Sequence, residues 1–341
     1  MNNKIILLGT FALTAILLLV ASQTGSTNNA DNLKAVEQFK NFREEFNKNY
    51  SSAAELEYRF FVFSQKLDKI EKHNSNPSKK FKLGINQFSD LTFEEFKARY
   101  LSNKVDYEIP EGAKFNKEFV SRSDDNEVNW VKKGVVRGVK DQGECDSDYA
   151  FSTIGAIESA LQIFLDKKDV RLSEQEIVDC SENQENNKCD GGSIKNSLNY
   201  IKEKGINTSE DYPYTASSDE CNQDLSGKGQ YKILGYNQIK RGVENVVQAV
   251  RAQPVSVSFN VGDPFQNYKS GVFDTEDCEE ELNHNIVVVG FKLDADTPYF
   301  LCKNSWGTRW GERGFFRIAI KTESGTCNFA GHDANHAPVV K

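Results

Sequence analysis

The most informative stretch of this sequence is Val139-Lys-Asp-Gln-Gly-Glu-Cys-Asp-Ser-Asp-Tyr-Ala-Phe-Ser152. A cysteine, Cys145, lies just before a run from Ser147 to Leu165 that has the composition of a buried helix. Asp148 lies at the start of this run. A carboxylate at a helix start gains roughly 0.3 to 1 kcal/mol from the helix dipole and often acts as a cap. The simplest interpretation of Asp148 is therefore a helix-stabilising residue.

Downstream of this helix the sequence changes to short segments of strand character. They are rich in Val, Ile and Phe and are separated by polar turns. The segments are Pro254–Phe259, Ile286–Phe291, Tyr299–Lys303 and Gly314–Ile320. A helix followed by several strands predicts an α+β domain, with two lobes and a cleft between them.

Upstream, two groups of apolar residues recur at spacings of three and four, which predicts two amphipathic helices. The first group is Phe39, Phe42 and Phe46, and the second is Leu56, Phe60, Phe63, Leu67 and Ile70. Their apolar faces are too small for an independent core, so they need a partner surface. Residues 102–127 are charged and without period, which indicates a linker or an extended segment.

The N-terminus has the pattern of a secretory signal peptide over residues 1–22. A short positive start ends at Lys4, and Ile5 to Ala21 is almost wholly apolar. The alternative is an uncleaved anchor, but the run is barely long enough to span a bilayer and no basic cluster follows it. We therefore expect a secreted or lysosomal/vacuolar protein with no membrane attachment after signal removal.

Composition narrows the partners and the fold class. The chain has 341 residues, which allows a targeting segment, an accessory segment and one sizeable domain. The net charge is −8 and no long basic run occurs, so nucleic acid is excluded as an expected partner. Two acceptor sequons for N-glycans, at Asn49 and Asn207, fit a secretory route.

Seven cysteines in a secreted chain indicate disulfides. They are Cys145, Cys180, Cys189, Cys221, Cys278, Cys302 and Cys327. An odd number leaves at least one thiol unpaired or paired with another molecule, and six cysteines allow about 15 connectivities. The number of cysteines alone does not determine which of these connectivities forms.

Five motifs in order over residues 128–341 resemble those of papain-like cysteine proteases. They are the opening stretch, Leu172-Ser-Glu-Gln-Glu-Ile-Val-Asp-Cys180, Cys189-Asp-Gly-Gly192, Leu282-Asn-His-Asn285, and Lys303-Asn-Ser-Trp-Gly-Thr-Arg-Trp-Gly-Glu-Arg-Gly314. The N-terminal part resembles the inhibitory propeptide of the cathepsin L and H branch. Its matching positions are Glu55, Arg59, Val62, Phe63, Ile70, Asn74, Gly84, Asn86, Phe88 and Asp90, whereas Lys66 replaces a motif asparagine.

The resemblance implies a domain organisation and a fold. A helical propeptide would cover residues 23–123 and the peptidase domain residues 124–341. The peptidase domain would have a helical lobe and a β-barrel-like lobe with the cleft between them. It also implies the pairs Cys145–Cys189, Cys180–Cys221 and Cys278–Cys327, leaving Cys302 as a buried, inert thiol.

By the same resemblance, His284 is the general acid/base, Asn304 orients it, and Gln142 is the oxyanion donor. Trp306 would shield the asparagine–histidine bond from water, and Gly191 and Gly192 would admit a peptide backbone. We expect the cleft to hold a peptide or protein ligand, or the chain's own propeptide.

The family's nucleophilic cysteine corresponds to Asp148. Asp146 and Tyr149 stand where the family has glycine and tryptophan, and Asn285 where it usually has alanine or glycine. A carboxylate is a far weaker acyl-transfer nucleophile than a thiolate, and removing the nucleophile costs on the order of 10⁶ in rate. Asp148 would instead pair with His284 as a fixed anion.

The resulting hypothesis is an inactive protease homologue, or pseudoprotease. The alternatives are an active endopeptidase-like hydrolase and a structural or storage protein. Ser147 is a poor substitute nucleophile because one helical residue rotates the side chain by about 100°.

No metal or cofactor is expected. His332 and His336 have the spacing of a helical metal pair, but their context predicts a chain end without a helix. We expect a monomer.

Overall fold

The computed structural model describes residues 29–101, 125–182 and 186–341, with side chains from residue 33 onward. The expected signal peptide and the expected boundary at residues 123 and 124 lie outside these ranges. Within these ranges, no helix has both the length and the apolar character needed to cross a membrane.

The N-terminal unit, residues 29–101, contains the two predicted amphipathic helices. Its elements are α1 (Asn29–Glu45), α2 (Ala53–Ser75), β1 (Phe81–Leu83) and α3 (Phe93–Tyr100). Phe39 and Phe42 of α1 form one apolar cluster with Phe60, Phe63 and Leu67 of α2, so the predicted stripes are confirmed. The ends are specified by local sequence: Ser52 caps α2, and Thr92 and Glu95 form a capping box at α3.

The C-terminal unit, residues 125–341, is the predicted α+β domain. Its helices are α4 (Asp148–Leu165), α5 (Glu174–Cys180), α6 (Ile194–Lys204), α7 (Val243–Ala252) and α8 (Asp263–Gln266). Its strands are β2 (Glu127–Asn129), β3 (Gly235–Ile239), β4 (Val255–Phe259), β5 (Tyr268–Phe273), β6 (His284–Lys292), β7 (Tyr299–Lys303), β8 (Phe315–Ala319) and β9 (Asn335–Val339). The four predicted strand segments correspond to β4, β6, β7 and β8.

One nine-stranded sheet joins the two units. The strand order is β1-β5-β8-β7-β6-β4-β9-β3, and β2 pairs with β6 outside this path. β1 of the N-terminal unit pairs antiparallel with β5, so that unit contributes an edge strand. The sheet is not closed by any pairing among the described strands, so the barrel-like lobe is an open sheet rather than a closed barrel.

Two apolar clusters define the two lobes. One lies among α4, α5 and α6 and includes Ile154 and Ile177, and the other lies on the sheet and includes Phe259 and Phe316. Helix α4 lies against β6, where Ser152 Oγ donates to the carbonyl oxygen of Ile286 at 2.7 Å. This packing puts the first residue of α4 beside the first residues of β6.

The three disulfides are those that the resemblance implies: Cys145–Cys189, Cys180–Cys221 and Cys278–Cys327. Cys302 is fully buried, and burial raises the pKa of its thiol well above its usual value. The prediction of a buried, inert thiol is therefore confirmed in its burial.

A polar network also joins the N-terminal unit to the C-terminal unit. Lys66 of α2 is buried and donates to Asp263 and, at 2.7 Å, to Gln266 Oε1 of α8. The side-chain amide of Gln266 in turn donates to the carbonyl oxygens of Phe88 and Leu91. Lys66, the departure from the propeptide motif, thus contacts the larger unit through an ion pair.

The two sequons differ sharply in their environments. Asn49 is exposed in the loop between α1 and α2. Asn207 is buried, and its Nδ2 donates to Glu176 Oε2 at 3.0 Å and to the carbonyl oxygen of Leu225 at 3.1 Å. A glycan on that nitrogen would replace one of its two hydrogens, so at least one of these bonds would be lost and a buried acceptor would be left without a donor.

We therefore expect a single N-glycan, at Asn49, when the chain is expressed in a secretory host. Asn49→Gln should abolish the mass shift caused by glycosidase treatment, whereas Asn207→Gln should leave it unchanged. Retention of a glycan on secreted Asn49→Gln protein would contradict this assignment.

Candidate active site

The candidate site forms where the start of α4 meets the start of β6. Asp148 Oδ2 lies 2.7 Å from His284 Nδ1, and both side chains are 0% exposed. The sequence separates these residues by 136 positions. Only the packing of α4 on β6 brings them together.

The hydrogen bonds of Asn304 determine which nitrogen of His284 carries a proton. Asn304 Oδ1 accepts from the backbone N–H of Ser305 at 2.8 Å, which identifies this atom as the oxygen. It also lies 2.8 Å from His284 Nε2, so that nitrogen must donate. The contact between Nδ1 and Asp148 then needs a second proton between two electronegative atoms. His284 consequently has no lone pair available to act as a base.

Both carboxylate oxygens of Asp148 are directed at β6. The backbone N–H of Asn285 donates to Oδ2 at 3.0 Å, and Asn285 Nδ2 donates to Oδ1 at 2.7 Å.

The interpretation of Asp148 as a helix cap is wrong. Ser147 is the N-cap residue of α4, and no side-chain cap bond forms there. The Asp148 carboxylate forms its hydrogen bonds with His284 and Asn285 instead of with the N–H groups of its own helix.

Ser147 faces away from the histidine. Its Oγ lies 2.7 Å from the hydroxyl of Tyr214, and it also donates to the carbonyl oxygen of Cys145 at 3.3 Å. The Tyr214 hydroxyl donates to the carbonyl oxygen of Gln142 at 2.7 Å. This arrangement agrees with the expectation that Ser147 is not a substitute nucleophile.

Trp306 covers His284. Its ring stacks on the imidazole with centroids 4.6 Å apart, and Trp306 itself is fully buried. Phe88 and Phe96 of the N-terminal unit contact its other surfaces edge-on at 5.5 and 5.2 Å. Water is excluded from the bond between His284 and Asn304 by this aromatic layer.

Gln142 lies beside the pair, on the loop that precedes α4. Its Nε2 donates to the carbonyl oxygen of Cys145 at 3.1 Å, and its Oε1 accepts from Ser305 Oγ at 2.7 Å. Its amide is thus held in place and fully buried. In this state its N–H group is occupied by the protein itself.

Gly191 and Gly192 lie on the loop that the Cys145–Cys189 disulfide holds against the start of α4. Gly191 has φ of +106°, a conformation that side chains disfavour. A Cβ on Gly192 would lie 2.6 Å from Asn186 Oδ1 and 2.9 Å from Tyr149. The fold therefore favours glycine at both positions, for backbone conformation at Gly191 and for packing at Gly192, and their role in holding a peptide stays a prediction.

The sequence analysis assigned no role to Asn285, nor to a cluster of charged residues formed by Lys140, Glu158, Glu174 and Lys303. The only signal for Asn285 was its departure from the family pattern. Lys140 pairs with Glu158 at 3.1 Å and with Glu174 at 2.6 Å. Burial lowers the pKa of the neighbouring Lys303 to about 8.

The two C-terminal histidines are not among the hydrogen-bond partners of Asp148 or His284. His336 is on β9, where its Nδ1 contacts the carbonyl oxygen of Ala334 at 2.9 Å. His332 precedes β9 in a bend. No group of three potential metal ligands occurs among residues 29–101, 125–182 and 186–341.

Burial of His336 predicts a pH dependence of stability. Burial lowers its pKa from 6.5 to about 4, and the positive charge of Lys195 adds to this effect. The unfolded chain therefore binds a proton between these values while the folded chain does not. The contribution to stability is complete above pH 6.5, and on the order of 3 kcal/mol is lost as the pH falls to about 4.

Urea unfolding of the wild type and of His336→Gln at several pH values between 7 and 4 would measure this loss. The variant should lose less stability over this range. Parallel curves for the two proteins would exclude His336 as the cause.

Comparisons with known proteins agree with this architecture. Residues 125–336 match the model of the papain family of cysteine proteases, and residues 39–96 match the cathepsin propeptide inhibitor domain (I29). The chain is 37% identical over 328 residues to a probable cysteine protease RD21C of Arabidopsis thaliana, covering 94% of this chain and 72% of that protein. It is 36% identical over 297 residues to a cathepsin L-like proteinase of Fasciola hepatica, covering 84% and 88%.

Among solved structures, a recombinant stem bromelain precursor is similar with a TM-score of 0.80 and 31% identity, covering 90% of this chain and 99% of that chain. The structure of digestive procathepsin L 3 of the Tenebrio molitor larval midgut is similar with a TM-score of 0.78 and 31% identity, covering 89% of this chain and 99% of that chain. The chain therefore belongs to the papain family of cysteine proteases and carries an I29 propeptide domain ahead of the family domain.

Proposed function

We propose that this chain is a catalytically silent member of its family, a pseudoprotease made as a secreted, zymogen-like precursor. In this proposal Asp148 occupies the position of the nucleophilic cysteine. The single observation that carries the proposal is the buried contact of 2.7 Å between Asp148 and His284.

The chemistry of the pair argues against hydrolysis. Asp148 receives three hydrogen bonds on its two oxygens, which lowers the availability of its lone pairs for attack on a carbonyl. His284 has protons at both nitrogens or shares one with Asp148, so it cannot accept another. A nucleophile and a base are both needed for acyl transfer, and neither is supplied.

The cleft is proposed to bind a peptide or protein without cutting it. Binding is favoured over a purely structural or storage role by the cleft residues that the resemblance implies: Gln142, Gly191, Gly192, Asn304 and Trp306. The N-terminal unit already lies on Trp306, where Gln87 Nε2 donates to its carbonyl oxygen at 2.7 Å. The propeptide is thus the first ligand proposed for this cleft.

Maturation and location follow from the same proposal. The signal peptide over residues 1–22 is proposed from the charge and apolar pattern of the N-terminal residues, and the boundary after residue 123 is proposed from the family pattern. Secretion or lysosomal/vacuolar delivery as a monomer belongs to the same proposal. Because self-cleavage needs a nucleophile, removal of the propeptide would depend on another protease.

Incubation of the purified full-length chain at acidic pH with a reducing agent tests this proposal. The chain should keep its full length on a gel for hours, as should the matched control Asp148→Ala. Self-conversion of the wild type that Asp148→Ala abolishes would refute the proposal and would favour the alternative, an active hydrolase that uses Asp148.

A further inference from the structure

We infer that Asn285 is a positioning residue for Asp148, so that the silent site is built by two residues acting together. This inference rests on the proposed function and adds the residue that holds the carboxylate in place. The sequence marks Asn285 as unusual, and the structure supplies its contacts.

Asn285 binds Asp148 through two separate groups. Its backbone N–H reaches Oδ2 at 3.0 Å, and its side-chain Nδ2 reaches Oδ1 at 2.7 Å. Any residue other than proline would supply the first bond. Only a side chain with a donor of this reach supplies the second, so the side-chain contact is specific to the asparagine.

Ser258 on the neighbouring strand β4 fixes the orientation of the Asn285 amide. Residues 258 and 285 are directly paired across the two strands. Ser258 Oγ donates to Asn285 Oδ1 at 2.6 Å, which turns the NH₂ group toward Asp148. Ser258 and Asn285 are 0% and 1% exposed, so water does not compete for these bonds.

The three donors around Asp148, which are His284, the Asn285 backbone N–H and the Asn285 NH₂ group, suit a carboxylate and do not suit a thiolate. A carboxylate offers two oxygens, one for the Asn285 amide and one shared by His284 and the backbone N–H. A single sulfur would have to accept from all three donors at one point, and the buried NH₂ group would compete with His284 for it. Asn285 would therefore keep the site weakly reactive even if Asp148 were replaced by cysteine.

Self-conversion of the full-length chain at acidic pH, followed by gel and mass spectrometry, tests the inference. The variants are Asp148→Cys, Asp148→Cys with Asn285→Ala, and, as a graded control, Asp148→Cys with Ser258→Ala. We expect the first double variant to convert at least about 10-fold faster than the single variant, with the Ser258 variant between them. Equal rates for the single and double cysteine variants, or no conversion by either, would overturn the inference.

A stability cycle tests the same contact without any need for activity. Asn285→Ala should lower the melting midpoint by several degrees when Asp148 is present, and by less than half as much in an Asp148→Ala background. Equal losses in both backgrounds would show that Asn285 acts independently of Asp148 and would overturn the inference. Peptidase activity of the wild type would instead refute the proposed function, since the cycle measures the contact alone.

Discussion

Peptide hydrolysis by the wild-type chain is expected to be on the order of 10⁶-fold slower than hydrolysis by a relative with a cysteine nucleophile. The reason is the loss of two functions at once. Asp148 is a weak nucleophile with both oxygens engaged, and His284 has no lone pair to receive a proton. Gln142 and Asn304, in the roles expected from the resemblance, would not compensate, because they would stabilise a transition state that no nucleophile forms.

The measurement is the rate of cleavage of a peptide mixture, after another protease has removed the N-terminal unit. Cys302→Ala is the matched control, since Cys302 is the one free thiol among the described cysteines. Thiol-dependent cleavage by the wild type that persists in Cys302→Ala, and that approaches the rate of an active relative, would contradict this expectation.

Asp148→Ala is expected to lower the free energy of unfolding by about 3 kcal/mol, as for other buried pairs that lose one partner. The substitution leaves the NH₂ group of Asn285 and the Nδ1 of His284 without acceptors in a site that water does not reach. This value lies at the lower end of the range for buried ion pairs that lose one partner. The cavity left by the shorter alanine side chain would lower the free energy of unfolding further.

Urea unfolding of the full-length chain would measure this loss. Asp148→Asn is the matched control, because it keeps the shape and one oxygen but places its own NH₂ group beside a donor. We expect it to lose less stability than Asp148→Ala. A variant Asp148→Ala as stable as the wild type would mean that the pair contributes nothing to the fold.

The elements of this fold were predictable where local pattern determines them. Spacings of three and four gave the helices around Phe42 and Phe63, and the apolar run of β7 matched its predicted bounds of Tyr299–Lys303. Such patterns depend on one face of one element, so the sequence contains all that is needed.

The candidate site was predictable only in part. The pairing of Asp148 with His284 was expected from the resemblance, whereas the helix-cap interpretation of Asp148 was wrong. Local rules treat a carboxylate at a helix start as a cap because they do not include the strand packed beside it. Asn285 and Ser258 acquire their roles from strand pairing between β4 and β6, which residue spacing does not reveal.

The contact between the two units shows the same limit. Lys66 and Asp263 are 197 positions apart, and in the sequence Lys66 is recognisable only as a departure from a motif. The disulfides are a third case. Counting left about 15 connectivities open, and the family pattern alone selected the three that form.

The proton between Asp148 and His284 shows whether an anion has replaced the nucleophile and formed a hydrogen bond with the histidine. NMR of protein labelled with ¹⁵N at histidine would detect it. We expect a far-downfield proton coupled to His284 Nδ1, and its loss in Asp148→Ala. A His284 Nδ1 that carries and shares no proton in the wild type would be a free base, and Asp148 would then not engage the histidine as proposed.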